Sequence, residues 1–173
     1  MPVKYKSLDG VVKYKDQMTE QELQEFSGYK IEGSAARISY IEEYKDGDLL
    51  GKIILRMTKA PIIFRVVYKG YNEIRYNTGS VSSRYCSNGD VFCGEMLRYD
   101  MNGKLQVRDF LNLGKNVTDD IVTEFGISDI LQHEFTEEEL FRLYMKYDSG
   151  FRFVSEYNRT PEHFDSVLKA CLE

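Results

Sequence analysis

The chain has little of several residue types on which recognisable active sites depend. Its 173 residues include no tryptophan, two histidines, three prolines and three cysteines. The histidines, His133 and His163, belong to no His-Glu-x-x-His motif, and there is no phosphate-binding Gly-rich loop or Gly-x-Ser-x-Gly elbow. We therefore assign no catalytic or metal-ligating residue and expect no cofactor.

The three cysteines also exclude two common kinds of framework. Cys86, Cys93 and Cys171 are odd in number and irregularly spaced, which is typical of neither a disulfide scaffold nor a zinc site. The start of the chain lacks the apolar core of a signal peptide, and the apolar runs are too short to span a bilayer. We expect reduced thiols in a cytoplasmic protein that has no membrane partner.

What the chain does have is tyrosine, phenylalanine and glycine-centred turns. It holds 13 tyrosines and 10 phenylalanines, so aromatic rings should fill much of the core. An Arg-Tyr pair precedes a glycine turn three times: Arg75-Tyr76 before Gly79, Arg84-Tyr85 before Asn88-Gly89, and Arg98-Tyr99 before Asn102-Gly103. Asn-Gly between two strand-like runs predicts a hairpin, because both central residues of a type I′ turn need a positive φ.

The remaining patterns predict an α+β fold of a single domain over residues 1–173. Residues 37–117 read as a β-rich body, an antiparallel meander of stacked hairpins in which residues 62–68 are a central strand buried on both faces. Short helices gather over residues 118–173, where Thr118 is the expected first cap. Thr19 with Glu22, and Thr136 with Glu139, match the helix capping box.

Residues 85–117, and above all the run YDMNGKLQVRDFLNLGKNV, resemble the aromatic–Asn–Gly–Lys–Leu repeats of bacterial MORN-variant proteins. The resemblance covers about a fifth of the chain. It implies stacked hairpins, and because some members of that family are antitoxins, it implies a binding role.

Charge is unevenly distributed along the chain. The net charge is −5, but residues 52–115 sum to +6, whereas residues 116–141 carry 8 acids and no lysine or arginine. Two interpretations stay open: the acidic helices cover and neutralise a basic sheet, or they form a surface that attracts a basic partner. The candidate acids for such a surface are Asp119, Asp120, Glu137 and Glu138.

The Arg-Tyr pairs add a second candidate surface. Adjacent residues of a strand point to opposite faces, so inward-facing tyrosines would place the arginines together outside. The predicted ladder consists of Arg75, Arg84, Arg98 and Arg108 with Tyr76, Tyr85 and Tyr99. Planar guanidinium groups suit phosphate or carboxylate, although solvated arginines on a one-faced sheet explain the pattern equally.

Three functions follow as hypotheses. The first is a small intracellular protein, of antitoxin, immunity or phage-inhibitor type, that occludes a protein partner. The second is a nucleotide- or nucleic-acid-binding module that uses the Arg/Tyr ladder. The third is an enzyme with a carboxylate site that no motif reveals, for which Glu43 and Lys45 beside Asp46 and Asp48 are a weak nuclease-like cluster. The sequence predicts no oligomeric state.

Overall fold

A computed structural model describes residues 2–34, 37–56, 61–157 and 159–172. Contacts within the chain group it into two compact units. We call Met1–Lys69 together with Arg159–Glu173 the amino-terminal unit, and Gly70–Asn158 the central unit. The single domain expected from the length stays a prediction.

The amino-terminal unit is an antiparallel sheet with one long helix. Its strands lie in the order β6-β5-β4-β3-β1-β2, so all but the last two follow the chain in reverse. The elements are β1 (Val3–Ser7), β2 (Val12–Tyr14), α1 (Glu20–Gln24), β3 (Gly28–Ser34), β4 (Arg37–Lys45), β5 (Asp48–Arg56), β6 (Ile62–Tyr68) and the carboxy-terminal helix α4 (Pro161–Leu172).

The central unit is a second meander, followed by two helices. Its strands lie in chain order and each pairs antiparallel with the next. They are β7 (Tyr71–Arg75), β8 (Val81–Asn88), β9 (Val91–Tyr99), β10 (Leu105–Asn112) and β11 (Lys115–Asn116), and the helices are α2 (Thr118–Phe125) and α3 (Glu137–Lys146). The predicted α+β class, a hairpin meander with most helices after residue 117, is confirmed.

Both predicted capping boxes form. Thr19 caps α1 through Glu22, and Thr136 caps α3 through Glu139, each with reciprocal side-chain and backbone hydrogen bonds. The cap predicted at Thr118 is wrong. Thr118 is the first residue of α2, and its Oγ1 accepts a hydrogen bond from the Phe110 amide at 2.8 Å. The Thr118 hydroxyl therefore accepts a hydrogen bond from the backbone of β10 and does not cap α2.

The turns follow the glycines, but not always in the predicted register. Asp46 and Gly47 both have positive φ (51° and 84°), as a type I′ turn requires. In the β8–β9 hairpin Asn88 pairs with Val91, so the central residues are Gly89 and Asp90 rather than Asn88 and Gly89. Among the described residues, the other turn with two positive φ angles is Leu113–Gly114, which carries no asparagine and was not predicted.

A row of aliphatic side chains crosses the amino-terminal sheet. Ile31, Ile41, Ile53 and Val66 are cross-strand neighbours on β3, β4, β5 and β6, and all are fully buried. Val67, the next residue, is 38% exposed. The prediction that residues 62–68 are buried on both faces is therefore wrong: β6 buries one face only, and α4 contacts that strand through Phe164 on Tyr68.

The core of the central unit is aromatic. Phe110 of β10 contacts Phe135, Phe151 and Phe153, with ring centroids 5.5–6.2 Å apart. Leu143 of α3 and Ile121 of α2 belong to the same buried cluster. The helices and the segment 151–156 therefore pack on one face of the sheet, the face that carries Phe110.

Candidate functional site

The predicted arginine ladder does not form. In the register of β8 and β9, Ser83 lies opposite Arg98, and Arg84 lies opposite Leu97. Neighbours in sequence point to opposite faces, so Arg84 and Arg98 are on opposite sides of the sheet. Arg108 lies opposite Leu97 and hence shares the face of Arg84. Arg98 is exposed on the other face, and the expectation of one outer ladder is wrong.

Two of the predicted arginines are ion-pair partners of carboxylates; Arg75 is buried and Arg108 is partly buried. Arg75 Nε donates to Glu73 Oε2 at 2.7 Å, and their side chains are 3% and 0% exposed. Arg108 Nε donates to Glu95 Oε2, also at 2.7 Å. The positive charge of these arginines is therefore neutralised by carboxylates of the sheet itself and not by the acidic helices.

Arg84 extends the network around Glu73. Its Nε donates to the hydroxyl of Tyr71 at 2.8 Å, and that hydroxyl donates to Glu73 Oε1 at 2.6 Å. Burial, with the nearby charge of Glu73, raises the pKa of Tyr71 well above its usual range. Tyr71 thus stays protonated at neutral pH and can donate to Glu73 while it accepts from Arg84.

The predicted tyrosines do not share one surface with the arginines. Tyr85 is buried on the face opposite Arg84 and packs edge-on against Phe92, with centroids 4.9 Å apart. Tyr76 donates its hydroxyl to the backbone carbonyl of Tyr99 at 2.6 Å. These contacts hold the tyrosines within the fold, and the nucleic-acid hypothesis has no continuous Arg/Tyr surface to support it.

The four predicted acids, by contrast, stand on the surface. Asp119 and Asp120 lie in the first turn of α2, Glu137 and Glu138 in the first turn of α3, and all are exposed. Within the described ranges, none of them has a cationic side chain at ion-pair distance. Glu124 differs, because it accepts from Arg142 and Lys146 at 2.9 and 3.0 Å.

The outer face of α3 joins two of these acids to large apolar side chains. Phe141 and Met145 are 65% and 73% exposed, whereas Leu143 of the same helix is fully buried. Phe141 is four residues after Glu137 and four before Met145, so the three share one helix face. We define the α3 outer face as Glu137, Glu138, Phe141 and Met145. Phe141 and Met145 lie outside the apolar stripe of α3, which consists of Leu140, Leu143, Tyr144 and Tyr147. The spacing of these residues in the sequence could therefore have indicated that Phe141 and Met145 are exposed.

A polar cluster that sequence reasoning missed lies in the amino-terminal unit. Glu43 is buried, and it accepts from Tyr68 Oη at 3.1 Å and from Arg159 Nη2 at 3.1 Å. His163 Nε2 lies 3.0 Å from the same carboxylate. No motif could have indicated the site, because Glu43 and His163 are 120 residues apart in the chain.

A glycine makes this cluster possible. Gly51 is the cross-strand neighbour of both Glu43 and Tyr68. A Cβ atom at residue 51 would lie 2.2 Å from the Tyr68 ring. The ring therefore lies over the glycine, and its hydroxyl reaches Glu43. Burial, with the charge of Glu43, raises the pKa of Tyr68 well above its usual range, so the hydroxyl donates.

The Glu43 cluster links α4 to the sheet, because His163 of α4 and Glu43 of β4 lie at hydrogen-bond distance. Both oxygens of the carboxylate already accept hydrogen bonds from the chain. In the nuclease-like cluster predicted at the β4–β5 hairpin, Glu43 points into the protein. Asp46 lies in the turn, where its backbone amide donates a hydrogen bond to the hydroxyl of Ser27. The nuclease-like cluster is therefore not brought together.

The central unit contains a cavity of about 260 Å³ beside α3. Its lining combines aromatic rings with titratable side chains: Arg108, His133, Glu134, Phe135, Leu140, Tyr144, Phe153, Ser155 and Glu156. Tyr144 donates its hydroxyl to Glu156 at 2.9 Å, and burial followed by this bond raises the pKa of Tyr144 to about 12.

The cysteines considered from the sequence lie inside the fold. Cys86, Cys93 and Cys171 are free and buried, and burial raises the pKa of each thiol. In the part of the chain that the structure describes, no three histidine, cysteine or acidic side chains come together as a metal site would require. None of the helices described is long and apolar enough to cross a bilayer.

Comparison with known proteins gives no relative from which a function can be transferred. No family model, no curated protein and no solved structure matches the chain.

Proposed function

We propose that this protein binds a basic protein partner through the α3 outer face and thereby occludes the partner's working surface. One observation carries the proposal: Phe141 and Met145 are exposed on the same helix face as Glu137 and Glu138. Exposed apolar groups rimmed by charge mark protein interaction sites, and aromatic residues and methionine are enriched at interfaces.

The negative charge of the α3 outer face indicates the charge of the proposed partner. Asp119 and Asp120 lie in the first turn of α2, and within the described residues none of the four acids has a cationic side chain at ion-pair distance. Complementary potentials speed association and select a partner of opposite charge. The proposed partner is therefore a protein with a basic working surface, such as a nuclease or another enzyme that acts on nucleic acids.

The biological setting that fits this chemistry is that of an antitoxin, an immunity protein or an inhibitor from or against a phage. The similarity of residues 85–117 to antitoxin-type MORN-variant hairpins supports the same proposal. In such a system the inhibitor is needed in stoichiometric amounts, because it blocks a surface and does not turn over a substrate.

The test is stoichiometric capture from the native host at low salt, with identification of the bound protein and an assay of its activity. We expect the double variant F141S/M145S to lose the partner, because it removes the apolar centre of the interface. We expect the amide variant D119N/D120N/E137Q/E138Q to associate more slowly at low salt, while each change at a helix start costs only about 0.3–1 kcal/mol of stability.

Met101→Ser is the matched control, because Met101 is 58% exposed in a turn of the same unit and is not on α3. It should leave capture unchanged. A partner that both multiple variants retain with the affinity of the natural chain would refute the proposal, as would the absence of any stoichiometric partner.

A further inference from the structure

We propose that the cavity beside α3 receives an arginine or lysine side chain of the basic partner. The inference rests on the proposed function and adds an anchoring contact to it. Leu140 and Tyr144 of α3 line the cavity, and Tyr144 is three residues from Phe141 of the outer face. A partner on that face therefore reaches the cavity with a single long side chain.

The walls of the cavity suit the organic part of such a side chain. Phe135 and Phe153 meet at 5.4 Å between centroids, and Tyr144 lies edge-on to Phe153 at 6.4 Å. Aromatic faces attract ammonium and guanidinium groups, and apolar walls accept the methylene stem. The volume, about 260 Å³, is below the usual range for drug-sized ligands, roughly 300–1,000 Å³, and suits a side chain.

The charge around the cavity favours a cation. Arg108 is its only positive side chain among the lining residues described, and that charge is matched by Glu95, 2.7 Å away. Arg108 Nη1 also donates to the carbonyls of Ile130 and His133 at 2.8 and 2.7 Å. The carboxylates of Glu134 and Glu156 are then opposed only by Arg152, whose charge also acts on Tyr144, so the balance stays negative and an anionic ligand is disfavoured.

The acceptor at the cavity is already oriented. Glu156 Oε1 accepts from Tyr144, and its Oε2 accepts from the Phe153 amide at 2.8 Å. Each carboxylate oxygen has a further lone pair, so the group can still accept from a guanidinium without rearrangement. A fixed acceptor lowers the entropy lost on binding and makes the charge-assisted hydrogen bond stronger.

The experiment titrates the isotope-labelled full-length protein with N-acetyl-arginine amide and follows amide shifts by NMR. The control ligand is N-acetyl-citrulline amide, which has the same shape but no charge. We expect shifts confined to residues 133–135, 144 and 153–156 with the arginine compound, and at least about tenfold weaker binding of the citrulline compound, since the bond to a cation is the stronger one.

Glu156→Gln, which keeps the size of the side chain, should weaken arginine-amide binding roughly fivefold to tenfold, because it removes the charge of the acceptor. Asp90→Asn, an exposed acid in the β8–β9 turn of the same unit, should leave binding unchanged. Equal binding of the citrulline compound would overturn the inference. So would shifts spread evenly over the acidic surface, or an E156Q variant that binds like the natural protein.

The outcome is separable from that of the proposed function. Loss of the partner in the F141S/M145S variant, with no binding of arginine amide in the cavity, would leave the α3 outer face as the interface and remove only the anchoring contact. Binding of arginine amide without any partner would show a cation site in a protein of another function.

Discussion

The two units of this protein bury carboxylates in different ways. In the central unit Glu73 and Arg75 are both inside the fold, with side chains 0% and 3% exposed. In the amino-terminal unit Glu43 is also buried, but Arg159 and His163 keep 34% and 37% of their side chains exposed. A cation that reaches solvent can be rehydrated when its partner is lost, and a buried one cannot.

Two close glycines, one in each unit, differ in what lies against them. In the central unit a Cβ atom at Gly94 would lie 1.9 Å from the backbone oxygen of Arg152, so two stretches of main chain touch. In the amino-terminal unit the atom nearest to a Cβ at Gly51 belongs to the side chain of Tyr68. A side chain can rotate aside, whereas a main chain must move as a segment. Gly94 should therefore tolerate substitution less well than Gly51, and Glu73 less well than Glu43.

The largest expected effect follows from the carboxylates. Glu73→Ala should destabilise the protein by about 3–5 kcal/mol, because Arg75 and Tyr71 lose a buried acceptor. Glu43→Ala should cost less, about 1–2 kcal/mol, because two of the three groups that bond the carboxylate reach solvent. Urea unfolding followed by circular dichroism gives the free energies, and amide hydrogen exchange shows which unit opens.

Glu124→Ala is the control, because its ion pairs with Arg142 and Lys146 are at the surface and should contribute little to stability. A loss for Glu43→Ala as large as that for Glu73→Ala would show that exposure of the cation does not decide the cost.

The second comparison is between the two close glycines. Gly94→Ala should cost about 2–4 kcal/mol, because the new methyl group meets main chain and the residue has a φ of +109°. Gly51→Ala should cost about 1–3 kcal/mol, because the Tyr68 ring can shift. Gly103→Ala measures the cost of a positive φ alone, since the φ of Gly103 is +85° but no atom lies within 4 Å of a Cβ atom placed there. Thermal unfolding of the three variants ranks the costs, and a Gly51 variant less stable than the Gly94 variant would reverse the comparison.

Much of the fold could be predicted because its signals are local. Thr19 with Glu22 and Thr136 with Glu139 are three residues apart, and both boxes form. The meander follows from glycine turns between alternating runs, and it is present. Such features depend on a few neighbouring residues, so a sequence contains all the information that they need.

The site could be predicted only in part, because it depends on register and on distant contacts. The arginine ladder required a β8–β9 register that places Arg84 and Arg98 on the same face of the sheet. The observed register differs from that one by a single residue. A shift of one residue reverses every side chain of a strand. The acids of α2 and α3 are on the surface as helix periodicity implies, but the Glu43 cluster needed a contact across 120 residues.

The smallest expected effect is a loss of stability at alkaline pH. Burial raises the pKa of tyrosines in both units, among them Tyr68 in the amino-terminal unit and Tyr71, Tyr144 and Tyr157 in the central unit. A phenol whose pKa is raised in the folded state keeps its proton at a pH at which the same phenol has lost its proton in the unfolded chain. The free energy of unfolding therefore falls as pH rises above the ordinary value of 10.0 towards about 12.

The double variant Y144F/Y157F should lose less stability than the natural protein between pH 9 and pH 11, because it removes two of these phenols. Urea midpoints at several pH values measure the slope, and absorbance of tyrosinate shows when the phenols ionise. Tyr14→Phe is the control, since Tyr14 is 52% exposed at the edge strand β2 and should not change the slope. If Tyr14→Phe flattens the pH dependence as much as the double variant does, burial of the central tyrosines is not its cause.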